Sequence, residues 1–103
     1  MNVNIYLDDE RPCPPGWVLA KTAAEAINLL QEYGEDVFMV SLDHDLGFPV
    51  EEKGTGYEVI CWLEERAHAG EYVPEIIIHT ANPAAMVKMG ACYRNILRIK
   101  KDA

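Results

Sequence analysis

Three short apolar runs recur along the chain, and each one stops at a polar cluster. Val3-Asn4-Ile5-Tyr6-Leu7 ends at Asp8-Asp9-Glu10, Val37 through Leu42 ends at Asp43-His44-Asp45, and Ile76-Ile77-Ile78 ends at His79-Thr80. Runs this short suit strands rather than helices. If all three are parallel strands of one sheet, their carboxyl ends share an edge. That edge then gathers several carboxylates and two histidines, a constellation that points to metal or acid–base chemistry.

The intervening segments supply the helices. Residues 2–7 alternate, with Val3, Ile5 and Leu7 on one face. Arg11 to Gly16 holds three prolines and reads as a stiff connection, followed by a short edge strand over Trp17 to Ala20. Thr22-Ala23-Ala24-Glu25 is a capping-box pattern that opens a helix carrying Ala26, Ile27 and Leu30 and ending at Gly34. Val37 to Leu42 is nearly all apolar, as expected of a parallel strand covered on both faces. Glu51 to Gly54 reads as a mobile surface loop. Thr55-Gly56-Tyr57-Glu58 is a second capping box, opening a helix that runs to about Ala69. Glu75 to His79 reads as a buried strand. Asn82-Pro83 then provides an N-cap and a first-turn proline for a last helix with Met86, Met89, Tyr93 and Ile96 on one stripe.

This alternation predicts one α/β domain over residues 1–103. It is a three-layer sandwich around a short, mainly parallel sheet of about four strands, with three helices and a reduced flavodoxin-like order. Ligands in such folds bind beyond the carboxyl ends of the strands where strand order reverses, which places both acidic clusters at one crevice between the first and third strands.

Charge narrows the partners. Nine basic residues against 17 acidic give a net charge of -8, whereas a phosphate-backbone binder needs a basic footprint, so long nucleic acid is not expected. A small phosphorylated substrate fits if a cation offsets the carboxylates. Cys13, Cys61 and Cys92 are odd in number and form no C-x-x-C pair. With no signal-peptide pattern and no membrane-length apolar stretch, a cytoplasmic protein with reduced thiols and no membrane contact is expected.

Several residues are candidates for chemistry. Asp8, Asp9 and Asp43 offer hard oxygen ligands suited to Mg²⁺, Mn²⁺ or Ca²⁺, the alternative for Asp8 and Asp9 being a turn cap that faces water. His44 and His79, each just beyond a strand, are candidate acid and base, metal ligands, or side chains satisfied by the backbone. His68 lies late in a helix and reads as structural. Thr55 and Asn82 open helices, where capping and phosphate contact draw on the same backbone N–H groups. Arg11 is either a salt-bridge partner or a phosphate clamp.

Leu7-Asp8-Asp9-Glu10-Arg11-Pro12, Ser41-Leu42-Asp43-His44-Asp45-Leu46-Gly47, Gly54-Thr55-Gly56-Tyr57 with Trp62-Leu63, and His79-Thr80-Ala81-Asn82-Pro83 together resemble the cyclic-phosphate-processing receiver-like family, a divergent relative of response-regulator receivers. The resemblance implies a receiver-like fold and hydrolysis of a small cyclic phosphate, such as a product of RNA processing. It equates Asp8, Asp9 and Asp43 with the receiver's metal-binding acidic pair and phosphoacceptor, and Thr80 with the hydroxyl after the fourth strand. The chain departs from ordinary receivers in lacking a helix between its first two strands and a fifth strand to carry a lysine, and in adding His44, Asp45 and His79. The leading expectation is a metal-dependent cyclic phosphodiesterase. Asp8, Asp9 and Asp43 hold Mg²⁺ or Mn²⁺, His44 and His79 act as acid and base, Asp45 orients an imidazole, and Arg11, Thr55, Thr80 and Asn82 steady the phosphate. The alternative is a non-enzymatic receiver or adaptor phosphorylated at Asp43. An aspartate-nucleophile phosphatase ranks lower, because the threonine that follows the motif in those enzymes is missing.

Overall fold

The structure, a computed structural model, describes residues 2–102. β1 (Val3–Leu7) lies inside a four-stranded parallel sheet with β2 (Val18–Ala20) on one side and β3 (Val37–Leu42) on the other, and β4 (Glu75–Ile78) follows β3 at the far edge. Ile5 pairs with Val18 and Val40, Leu7 with Ala20 and Leu42, and Leu42 with Ile78. The register shifts between Val3 and Asn4, leaving Phe38 as the extra residue of a bulge at the start of β3.

α1 (Ala23–Tyr33) leads from β2 to β3 through a 3-10 turn at Gly34–Asp36. α3 (Gly56–His68) leads from β3 to β4, and α4 (Pro83–Asp102) follows β4. The two crossovers advance in the same direction across the sheet. Parallel crossovers are right-handed, so their helices fall on the same face. Accordingly α3 packs against both α1 and α4. Strand alternation then separates the two faces of the sheet. Val3, Ile5, Leu7, Ala20, Val40, Leu42 and Ile76 are buried against the helices, together with Leu30, Val59, Ile60, Leu63, Met89 and Ile96.

The fold is the expected receiver-like α/β arrangement with four parallel strands. The cover on both faces that the apolar composition of β3 suggested is present on one face, and among the described residues the helices add no further layer on the other. On that second face Leu19 is 39 % exposed, Phe38 49 % and Ile77 42 %, so β4 is half-covered rather than buried.

Two local expectations also change. Val50–Lys53 forms a one-turn helix, α2, where a loop was expected over Glu51 to Gly54. The buried stripe of α4 is Ala85, Met89, Cys92 and Ile96, one position away from Met86 and Tyr93. Cys13, Cys61 and Cys92 are free thiols. Among the described residues no helix is long and apolar enough to cross a membrane.

Candidate functional site

The strand register builds the site. Leu7, Leu42 and Ile78 sit side by side at the carboxyl ends of β1, β3 and β4, and the next residue of each strand is Asp8, Asp43 or His79. The backbone ladder continues one step beyond the strands: Asp8 N–H donates to the Ala20 carbonyl, Asp43 N–H to Leu7 and His79 N–H to Leu42, each at 3.0 Å. Because Leu7, Leu42 and Ile78 face the helices, alternation turns the following three side chains to the uncovered face. There the ligand atoms of Asp8, Asp43 and His79 all lie within 4.8 Å of one another.

Asp8 is 1 % exposed and its carboxylate is saturated. Oδ1 accepts from the backbone N–H groups of Glu10 at 2.8 Å and Arg11 at 2.9 Å, which folds the turn after β1. Oδ2 accepts from Arg11 Nη1 and His79 Nε2, both at 3.0 Å. Burial by itself raises the Asp8 pKa. The N–H groups of Arg11 and Glu10, the guanidinium and His79 more than offset that and hold the carboxyl below its ordinary value. Arg11 Nη1 also lies 3.7 Å from Asp43 Oδ2 and donates to the His79 carbonyl at 3.0 Å.

His79 has both ring nitrogens engaged, Nε2 with Asp8 and Nδ1 with Ser41 Oγ at 2.6 Å, while Tyr6 stacks on its ring at a centroid distance of 4.6 Å and an interplanar angle of 2°. Neither Tyr6 nor Ser41 was singled out in the sequence. Both stand two residues before a cluster member, Tyr6 before Asp8 and Ser41 before Asp43. Extending the strand period past the strand ends is the signal that selects them.

The turn folded on Asp8 Oδ1 carries Asp9 away from Asp8. Asp9 is not in the cluster. It turns toward the Gly47 loop, where a Cβ on Gly47 would meet Asp9 Oδ2 at 3.0 Å, and it lines a cavity of about 520 Å³ with Arg11, Asp43, Asp45, Phe48 and Thr55. His44 is also drawn away from the cavity wall. Its side chain is 12 % exposed, and its Nε2 is buried without a hydrogen-bond partner among the described residues. His44 Nδ1 lies 2.9 Å from Oδ1 of Asp45, whose side chain is 67 % exposed. The hydrogen bond with His44, and then that from Asn82 Nδ2 at 3.4 Å, lower the Asp45 pKa against the effect of burial.

Thr80, Asn82 and Thr55 have local duties. Thr80 Oγ1 accepts from Asn82 N–H at 3.1 Å, and Asn82 Oδ1 caps α4 by accepting from Ala85 N–H at 3.1 Å. Thr55 stands at the N-cap of α3, but its side chain makes no capping bond, unlike Thr22, whose Oγ1 accepts from Glu25 N–H at 3.1 Å. Thr55 instead pairs with Asp45 through an antiparallel bridge. The next residue must be glycine, because a Cβ on Gly56 would fall 1.7 Å from the Asp43 carbonyl oxygen. This contact seats the start of α3 against the end of β3.

Two carboxylates and an imidazole at this spacing suit a hard or borderline divalent ion. A second cleft, of about 540 Å³, lies at the opposite end of the sheet between Leu30, Trp62, Arg66 and Tyr72, away from these groups.

No curated protein and no solved structure matches the chain. The sequence model described as the cyclic-phosphate processing Receiver domain matches residues 3–95, covering every strand and the whole acidic cluster, and the chain therefore belongs to that family.

Proposed function

We propose that this receiver-like domain hydrolyses a small cyclic phosphate in the cavity above Asp43, with a divalent cation, Mg²⁺ or Mn²⁺, held by Asp8 and Asp43. The observation that carries this reading is the convergence of Asp8, Asp43 and His79 within 4.8 Å beside a 520 Å³ cavity, in a chain of the cyclic-phosphate processing family. The bound cation supplies polarisation of a phosphoryl oxygen and a lower pKa for an adjacent water.

The chain's own residues supply the rest. Asp45, exposed at the cavity wall and kept ionised by His44 and Asn82, takes the proton of the attacking water. His44 is a positioning residue that aims Asp45. Attack at phosphorus breaks one ring P–O bond and leaves an alkoxide that must be protonated. The acid is His79 in its imidazolium form, which gives up the Nε2 proton and returns to the neutral ring, and Asp8 orients that nitrogen. The proton taken from water balances the one given to the leaving oxygen, so the products are a phosphate monoester and a free hydroxyl. Arg11, 45 % exposed beside Asp43, and Thr55 in the cavity wall provide donors for the phosphate oxygens. Thr80 and Asn82 act through the turn that carries His79.

The test is turnover of nucleoside and sugar cyclic phosphates with and without chelator, in the wild-type protein and in Asp43→Asn. Activity lost in both controls supports the reading, and turnover retained by Asp43→Asn overturns it. Acid-labile phosphate accumulating on Asp43 from a small phosphodonor, with no turnover, supports a signalling module instead.

A further inference from the structure

We propose that Arg11 is the resident cation of this site, and that a divalent ion enters by exchanging with its guanidinium. The inference rests on the metal-dependent reading above and adds a regulation of the same site. It begins from the capacity of Asp8. A carboxylate offers about four acceptor positions, and those of Asp8 are taken by Glu10 N–H, Arg11 N–H, Arg11 Nη1 and His79 Nε2. Two of these bonds come from the backbone and define the turn after β1, so they persist as long as the fold does. Nε2 is held by the rest of the His79 environment, the Ser41 contact and the Tyr6 stack.

Arg11 Nη1 is the ligand of Asp8 most free to leave: it also donates to the His79 carbonyl at 3.0 Å, but that contact is exposed and water can take it over. Nη1 sits where an ion shared by Asp8 and Asp43 would sit, 3.0 Å from Asp8 Oδ2 and 3.7 Å from Asp43 Oδ2. Its side chain is 45 % exposed, so the guanidinium has water on one side and a short path into the cavity it already lines. Two cations cannot share the gap between these carboxylates at such distances. Metal and guanidinium therefore compete, and once displaced, Arg11 remains at the cavity wall with its donors directed to an anionic substrate.

The test is calorimetric titration of the metal-free protein with Mn²⁺ alone, for wild type, Arg11→Gln, Arg11→Lys and Arg98→Gln. Arg98→Gln removes the same charge near the far end of α4. Exchange predicts that Arg11→Gln binds Mn²⁺ about tenfold or more tightly than wild type, that Arg11→Lys falls between them, and that Arg98→Gln matches wild type. Thermal melting covers the case of a weakened variant: without Mn²⁺, Arg11→Gln melts below wild type, and Mn²⁺ raises its midpoint by more than it raises that of wild type. Equal or weaker Mn²⁺ binding by Arg11→Gln overturns the exchange and leaves the metal-dependent reading standing. Absence of Mn²⁺ binding in all four proteins overturns both.

Discussion

The Ser41 hydroxyl stands 2.6 Å from Nδ1 of His79 and reinforces the tautomer that Asp8 selects. Asp8, ionised and able only to accept, faces Nε2 at 3.0 Å, so Nε2 carries the proton. Nδ1 of the neutral ring must then accept, and Ser41 donates to it. Ser41 is 5 % exposed, so water does not readily replace it.

Ser41→Ala should therefore disturb His79 before it disturbs the fold. Nitrogen NMR of the imidazole should show a nearly pure Nε2–H form in the wild type and a mixed population in the variant. The lost hydrogen bond should cost about 1–2 kcal/mol in urea denaturation. An unchanged tautomer would show that Asp8 alone sets it.

Gly56→Ala should be among the most damaging single-methyl additions to the chain. The added Cβ would overlap the Asp43 carbonyl oxygen at 1.7 Å, and a backbone atom cannot move aside as a side chain can. The expected loss is about 3 kcal/mol or more, at the upper end of overpacking costs. Denaturant midpoints measure it directly, and a change below about 1 kcal/mol would refute the close approach of α3 to β3.

The two capping-box sequences should respond differently to the same substitution. Thr22 Oγ1 accepts from Glu25 N–H, and Glu25 Oε1 in turn accepts from Lys21 N–H at 3.3 Å. Thr22→Ala should cost about 1 kcal/mol. Thr55→Ala removes no capping bond and should stay within about 0.5 kcal/mol of wild type. Paired urea melts distinguish the two.

Acid stability should report on Asp8. Its carboxyl is held below the ordinary value near 3.8, because the opposing effect of burial is outweighed by the Arg11, Glu10 and His79 hydrogen bonds. A lowered folded-state pKa gives stability that is fully present above the unfolded value and is lost as pH falls through the folded one. Melting temperature should hold steady above about pH 5 and fall below pH 4. Asp8→Asn should be less stable than wild type near neutrality and lose less on acidification. The Asp45 pKa is lowered as well, but its carboxylate is largely exposed and solvent-screened, so Asp45→Asn should leave the acid limb nearly unchanged.

The sequence by itself determined the element order and much of the element boundaries. Hydrophobic period, prolines and cap residues are local signals, and they marked β3 at Val37–Leu42, the N-cap at Thr22 and the Asn82-Pro83 start of α4. They also placed Asp8, Asp43 and His79 at strand ends. The tertiary structure decided which of the neighbouring polar residues meet. The turn folded on Asp8 Oδ1 carries Asp9 away, His44 turns inward beyond the end of β3, and strand alternation brings Ser41 and Tyr6 into the cluster from two residues back. It also decided that Arg11 reaches Asp8 and Asp43 together, because that contact depends on the register between β1 and β3. A spacing along the chain can mark residues able to do chemistry. Only the pairing of strands, set by burial of the core face, fixes the distances between them.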